Sequence, residues 1–235
     1  MQHTSRALTA AYVGVAAADT WLSGMSTPRS HRLRRLTKPA LMPLLTASLL
    51  TSAPERPSPL RRTTLLAQAF GWGGDVALLR DGEAAFFAGA GSFAVGHGAY
   101  ITGFHRLRRT RRALREERGV MLVAGIWAAS TPAVALAAAR KDPKLAIAVV
   151  AYSATLTTTL VSAIRLGPAV RADSRRLAMA GAALFLLSDA ILGARMFLIE
   201  DPPPGMERLV MATYTAAQLL LSEAARHAPS IEAMK

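Results

Sequence analysis

Long hydrophobic runs alternate with short polar and arginine-rich stretches along the whole chain. A helix that crosses a bilayer needs about 20 mostly apolar residues, and runs of nearly that length recur often enough to predict eight helices. The predicted spans cover residues 7–23, 36–52, 63–79, 84–104, 119–139, 145–164, 177–199 and 206–222. The predicted fold is all-α: one polytopic membrane domain over residues 1–235, built as a bundle of about eight transmembrane helices.

The first three predicted spans are short, and the second is the weakest of the eight. Pro39 and Pro43 interrupt its start. A proline inside a helix removes a backbone donor and frees a carbonyl. Membrane helices tolerate this when neighbouring side chains bind the freed carbonyl. We therefore expect a polar partner from another helix close to this segment.

Composition and charge agree with a membrane protein. Of the 235 residues, 51% are hydrophobic and 18% are charged, with a net charge of +13. In a soluble protein, the basic cluster at residues 105–118 would indicate phosphate contacts with nucleic acid. Here it lies between two predicted spans, which favours a loop facing anionic lipid headgroups. The lipid bilayer is the expected partner and nucleic acid is not.

Orientation follows from the distribution of Lys and Arg. These residues are more frequent on the side that carries both termini, so the positive-inside rule places both termini in the cytoplasm. The loop around residues 29–35 opposes this assignment. The Ala- and Arg-rich composition is typical of a bacterial chain, which predicts the bacterial plasma membrane. The alanines at 16–18 also resemble a signal-peptide cleavage site, but the apolar stretch continues through Trp21 and favours a retained span.

Two carboxylates lie inside apolar segments. Asp189 is in the run 184–193 and Asp75 in the run 71–79. An ionisable group at this depth costs roughly 2.5–3.5 kcal/mol on insertion scales and usually serves a function or has a partner. The chain has no cysteine, its histidines are scattered, and no G-x-S-x-G motif is present. We therefore predict acid chemistry, with no metal and no cofactor.

Polar residues of several predicted spans converge on one layer. A helix rises about 1.5 Å per residue, which places Asp75, Asp189 and Tyr214 slightly on the outer side of the bilayer midplane. Lys38 lies near the outer end of its span. The remaining members are His97 and Tyr100, which lie deeper, Gln218, one turn below Tyr214, and Ser188. A purely structural role stays open for Ser188, Gln218 and Lys38, since such residues also bond between helices or reach toward water.

Five segments together resemble the YhhN/TMEM86 family of integral membrane proteins, and they occur in that family's order. They are residues 37–45 (TKPALMPLL), 72–79 (WGGDVALL), 87–101 (FAGAGSFAVGHGAYI), 185–189 (FLLSD) and 214–221 (YTAAQLLL). Residues 106–176 support the resemblance only by hydropathy. Gly73 is a departure, because family members often carry a bulkier residue there.

The resemblance implies a lysoplasmalogenase, since that is the activity of the family's characterised members. Such an enzyme hydrolyses the vinyl ether bond of a lysophospholipid to a fatty aldehyde and a glycerophospho-base. The family's polar positions correspond to Lys38, Asp75, His97, Tyr100, Ser188, Asp189, Tyr214 and Gln218. We predict Asp75 and Asp189 as the catalytic pair, one giving a proton and the other stabilising the cation or activating water. The other six are predicted to support or bind the substrate.

Other functions use the same buried acids. A proton-coupled transporter or a lipid-binding membrane protein is the main alternative. A hydrolase acting on another lysolipid bond is a second, and a scaffold protein is a third that leaves both acids unexplained. The sequence predicts no oligomeric state.

Overall fold

The computed structural model describes residues 2–52, 58–108 and 114–228, and these residues form an all-helical bundle. The helices are α1 (Gln2–Ser23), α2 (Pro28–Thr51), α3 (Pro59–Ala77), α4 (Glu83–Arg106), α5 (Leu114–Ala139), α6 (Pro143–Ile164), α7 (Ala172–Phe197) and α8 (Pro204–Arg226). Each predicted span coincides with one of them. The all-α prediction is confirmed.

Helix ends differ from the predicted ends in both directions. Most helices extend into the polar flanks, because a helix does not end where its apolar stretch ends. α3 ends at Ala77 and α7 at Phe197, each two residues before the predicted limit. After α3, a tight turn leads to Gly82, whose φ of 104° suits only glycine. After α7, the three prolines at 202–204 prevent the helix from continuing.

Fewer helices than the sequence predicted are long and apolar enough to span a membrane. Within the described residues, three segments are long and apolar enough to cross a membrane, at Glu117–Ala139, Pro143–Ile164 and Ala172–Phe197. The other five helices carry more polar residues, and many of those point into the bundle. Spanning by all eight helices stays a prediction.

Packing follows helical hairpins with α8 in a central position. The closest pairs are α1 with α2, α3 with α4, and α7 with α8, and α8 also contacts α1, α2 and α3. Gly181 permits the close approach of α7 to α8, since a Cβ there would lie 3.0 Å from the Ala217 carbonyl oxygen. Large apolar side chains of α5, including Met121, Leu122 and Ile126, are exposed. Such a face is typical of contact with lipid.

α2 remains helical through both of its prolines. Thr27 and Ser30 form a capping box at its start, and Pro28 occupies the first turn. Pro43 has no N–H to donate to the carbonyl of Pro39, four residues earlier. The indole Nε1 of Trp72 on α3 donates to that carbonyl at 3.0 Å. The expected polar partner for the proline segment is therefore a tryptophan.

Candidate active site

Asp75 is the centre of a buried polar group contributed by α2, α3 and α8. Asp75 is only 1% exposed. The Tyr214 hydroxyl donates to Oδ2 of Asp75 at 2.7 Å. Nζ of Lys38 lies 3.7 Å from Oδ1. The structure therefore brings together three of the residues predicted from the sequence, with a cation and a hydroxyl donor on the same carboxylate.

A chain of ion pairs lies beside this group, at the same end of the bundle. Thr37 donates to Oδ1 of buried Asp19 at 2.6 Å. Nε of Arg34 lies 3.5 Å from the same carboxylate oxygen, and Nη1 of Arg34 lies 3.6 Å from Glu207. Arg195 of α7 pairs with the other oxygen of Glu207 at 3.2 Å. This cluster joins α1, α2, α7 and α8.

Sequence reasoning missed the ion-pair cluster, because its charged residues lie near helix ends and resemble ordinary flanking charges. The spacing of two basic residues could have indicated the cluster. Arg34 and Lys38 are four residues apart, so both must lie on one face of α2. That face is turned toward the interior.

Gln218 and Tyr100 form a second polar level, deeper than Asp75. The Tyr100 hydroxyl donates to Oε1 of Gln218 at 3.2 Å. Gly71 of α3 lies opposite the same amide, since a Cβ there would be 3.3 Å from Nε2 of Gln218. The absence of a side chain at this position leaves room for the amide. Both residues were predicted as supporting residues, and Gln218 lies one turn from Tyr214 on α8.

His97 is buried but does not contact Asp75. Its Nδ1 lies 3.1 Å from the Thr159 hydroxyl oxygen of α6. Its Nε2 has no hydrogen-bond partner among the described residues. The Phe185 ring packs against His97, with ring centroids 4.3 Å apart, and against Tyr214 at 5.4 Å. Phe185 thus separates the imidazole from the Asp75 group.

Ser188 and Asp189 have different surroundings although they are adjacent. The Ser188 hydroxyl donates to the Val210 carbonyl at 3.0 Å, which joins α7 to α8. Asp189 lies one turn after Phe185 on the same face of α7. Asp189 is only partly buried, unlike Asp75. Within the described residues, no hydrogen bond or ion pair joins the two predicted acids, and their catalytic role stays a prediction.

An apolar groove of about 320 Å³ runs between α1 and α8. Alanines at 16, 17, 212 and 216 form its walls, and Thr20 lies at its outer end, next to Asp19. Its floor includes Tyr12, whose hydroxyl donates to the Thr215 carbonyl at 2.8 Å. Two of the lining residues, Thr20 and Thr215, are sequence neighbours of Asp19 and Tyr214, which do not line the groove themselves.

Metal chemistry has no evident ligand set in the part of the chain that the structure describes. No group of three or more His, Cys, Asp or Glu side chains there could hold an ion. The Asp75 group itself offers a carboxylate, a phenol hydroxyl and an ammonium group.

Comparison with known proteins decides the family. Residues 33–225 match the sequence model of the YhhN family. The chain belongs to the YhhN family. The matched range includes every residue predicted for the site, whereas α1 and Asp19 lie outside it. No curated protein and no solved structure matches the chain.

Proposed function

We propose that this YhhN protein is a membrane lipid hydrolase that cleaves the vinyl ether bond of lysoplasmalogens. The observation that carries the proposal is Asp75, a buried carboxylate held by Lys38 and Tyr214 inside an apolar bundle. An acid at such a position costs free energy in a membrane and calls for a function. Family membership supports a hydrolase of this kind.

The proposed setting is a bacterial plasma membrane crossed by all eight helices, with both termini in the cytoplasm. The exposed apolar face of α5 and the excess of Lys and Arg on the terminal side support this topology. Reporter domains that fold only in the cytoplasm, fused to either end, test it. Activity at one end alone would contradict an even number of crossings.

The proposed reaction starts with proton transfer to the alkene carbon farther from the ether oxygen. The resulting oxocarbenium ion takes up water, and the hemiacetal then breaks into an aldehyde and the free alcohol of the glycerophospho-base. One water is consumed, and the proton lost by the attacking water restores the acid. Glycosidases stabilise a similar cation with a pair of carboxyl groups.

The surroundings of the two acids favour different roles for them. Lys38 and Tyr214 both direct positive charge or a proton at Asp75, an arrangement that suits an ionised carboxylate. We assign Asp75 to stabilising the cation and activating water. Asp189 has no such donor among the described residues, which suits the protonated acid. Phe185 packs against Tyr214 and lies one turn before Asp189, and it would contact the alkene.

The remaining parts of a lysolipid match neighbouring features. Arg34 and Arg195 lie at the outer end and suit the phosphate, because guanidinium groups bind phosphate oxygens well. Arg195 is the more accessible of the two, with 34% of its side chain exposed. The single hydrocarbon chain fits the alanine-walled groove between α1 and α8. That groove has the volume of a small ligand pocket.

The test is aldehyde release from lysoplasmenyl-ethanolamine by the purified protein in detergent. The wild type and Asp173→Asn, a control on the exposed start of α7, are expected to release aldehyde. Asp75→Asn and Asp189→Asn are expected to release none. The saturated ether analogue should not react, because it has no alkene to protonate. Absence of aldehyde with folded wild type, or turnover by either site variant, would refute the proposal.

A further inference from the structure

Three helices present polar or small residues to one another at helical spacing. Residues three or four apart on a helix share a face, so each of these sets is a stripe. The stripes are Lys38, Met42 and Thr46 on α2, then Asp75, Gly71, Gln68 and Thr64 on α3, and Tyr214, Gln218 and Ser222 on α8, with Met42 the one large apolar member. We call the space between them the polar seam.

Contacts between the stripes define its outer two levels. The first level is the Asp75 group already described. At the second level, a Cβ on Gly71 would lie 3.3 Å from Nε2 of Gln218 and 3.7 Å from the sulfur of Met42. One residue from each helix therefore meets there. Because α8 residue numbers rise as α3 numbers fall, α3 and α8 are antiparallel.

Deeper contacts continue the seam toward the other end of the bundle. Thr46 donates to Oε1 of Gln68 at 3.0 Å, which joins α2 to α3. Ser222 lies four residues from Gln218, so its side chain lies on the seam face of α8. Arg226 lies outside the seam, because its guanidinium bonds Ser48 of α2 together with Ser5 and Thr9 of α1. The seam thus extends from Asp75 to Thr64 and Ser222.

Three polar atoms in this deeper part are buried without a hydrogen-bond partner in the described chain. They are Nε2 of Gln68, Oγ1 of Thr64 and Oγ of Ser222. All three residues are fully buried. Leaving such a group unbonded in the protein interior destabilises the fold. In folded proteins these groups are normally satisfied by internal water.

We propose that a file of bound water fills the polar seam and delivers water to Asp75 from its inner end, at Thr64 and Ser222. This inference rests on the proposed function, because hydrolysis consumes one water per turnover and the hydrocarbon region offers none. Ion pairs of Asp19, Arg34 and Glu207 close the outer end, where the substrate headgroup would sit. Water therefore reaches Asp75 from the inner end of the seam, whereas the lipid headgroup binds at the outer end.

Met42 provides a direct probe of the file. Its sulfur lies at the second level and the residue is only 1% exposed. X-ray pulses generate hydroxyl radicals from bound water, and these oxidise an adjacent methionine even when it is buried. Wild type is expected to show oxidised Met42 by mass spectrometry. In Thr64→Val/Ser222→Ala, Met42 oxidation should fall about tenfold. Exposed Met121 should be oxidised equally in both proteins. A tenfold decrease corresponds to the free energy of about one net hydrogen bond.

Measurement of turnover provides a second test. Thr64→Val/Ser222→Ala should lower kcat about tenfold and leave KM unchanged. A tenfold decrease in kcat again corresponds to the free energy of about one hydrogen bond. Thr158→Val, which loses only a bond within its own helix, is the matched control and should be unaffected. Unlabelled Met42 in wild type, or labelling unchanged in the double variant, would overturn the water file. Labelled Met42 without aldehyde release would support the file and refute the hydrolase.

Discussion

The Lys38–Asp75 ion pair allows a prediction in which stability and activity separate. Lys38→Met removes the cation and leaves Asp75 buried without it. At the N–O distance of 3.7 Å and an effective dielectric constant of about 20, the attraction is about 4 kcal/mol. Breaking a buried pair by removing one partner costs about 3–5 kcal/mol. Lys38→Met and Asp75→Asn should therefore each destabilise the protein strongly.

The double variant Lys38→Met/Asp75→Asn should recover most of that stability. It contains no uncompensated charge, and asparagine still accepts the Tyr214 hydroxyl. Two charges are removed together, and such replacements are often neutral. At about 2–4 °C per kcal/mol for a chain of this size, each single variant should melt about 10 °C below wild type. The double variant should melt within a few degrees of wild type.

The assay is a double-mutant cycle, with thermal unfolding in detergent and aldehyde release measured on all four proteins. All three variants should be inactive, because each lacks a part of the Asp75 group. The double variant would then be a stable but inactive protein, which assigns the loss to chemistry. Additive melting losses would refute a direct ion pair, and turnover by the double variant would refute the role of Asp75.

Four further variants test separate parts of the site. Asp189→Asn should abolish turnover yet change the melting temperature by no more than about 2 °C, because no described partner is lost; a large drop in melting temperature would contradict this. Ser188→Ala should lose about 1 kcal/mol of stability, since it removes one bond to an α8 carbonyl, and keep its turnover; an inactive, stable variant would place the hydroxyl in the chemistry. Ala16→Leu fills the groove and should raise KM for long-chain lysolipids more than for short-chain ones; equal effects would place the chain elsewhere. Trp72→Phe unpairs a carbonyl of α2 and should cost about 1–3 kcal/mol in unfolding measurements, and unchanged stability would show that the bond contributes little.

The helices could be predicted because each hydrophobic run is long and bounded by polar residues. Their number and approximate limits follow from that pattern alone. Depth within the bundle could also be estimated, and Asp75 and Tyr214, placed at one level from the sequence, are hydrogen-bonded in the structure. Which helices truly cross a bilayer could not be read from runs as short as those of α2 and α3.

Rotation of each helix about its axis could not be predicted, and it determines which residues meet. His97 and Asp75 were both predicted for the site, but the Phe185 ring packs between His97 and Tyr214, the residue that bonds Asp75. Ser188 and Asp189 are neighbours in sequence and face different surroundings. The roles of Arg34 and Glu207 depend on long side chains that reach across helix ends, and a hydropathy pattern carries no information about such contacts.

The bond from Trp72 to the Pro39 carbonyl has a consequence for alignment. Trp72 is one turn from Asp75, and Pro39 is adjacent to Lys38. A slide of α2 against α3 by one residue would move the helices by about 1.5 Å, and it would break the indole bond and the ion pair together. Replacing Pro43 by alanine would supply a backbone N–H to the same carbonyl and release the indole. A defect in the hydrogen bonding of one helix thus sets the axial register at which a lysine and an aspartate from two helices meet.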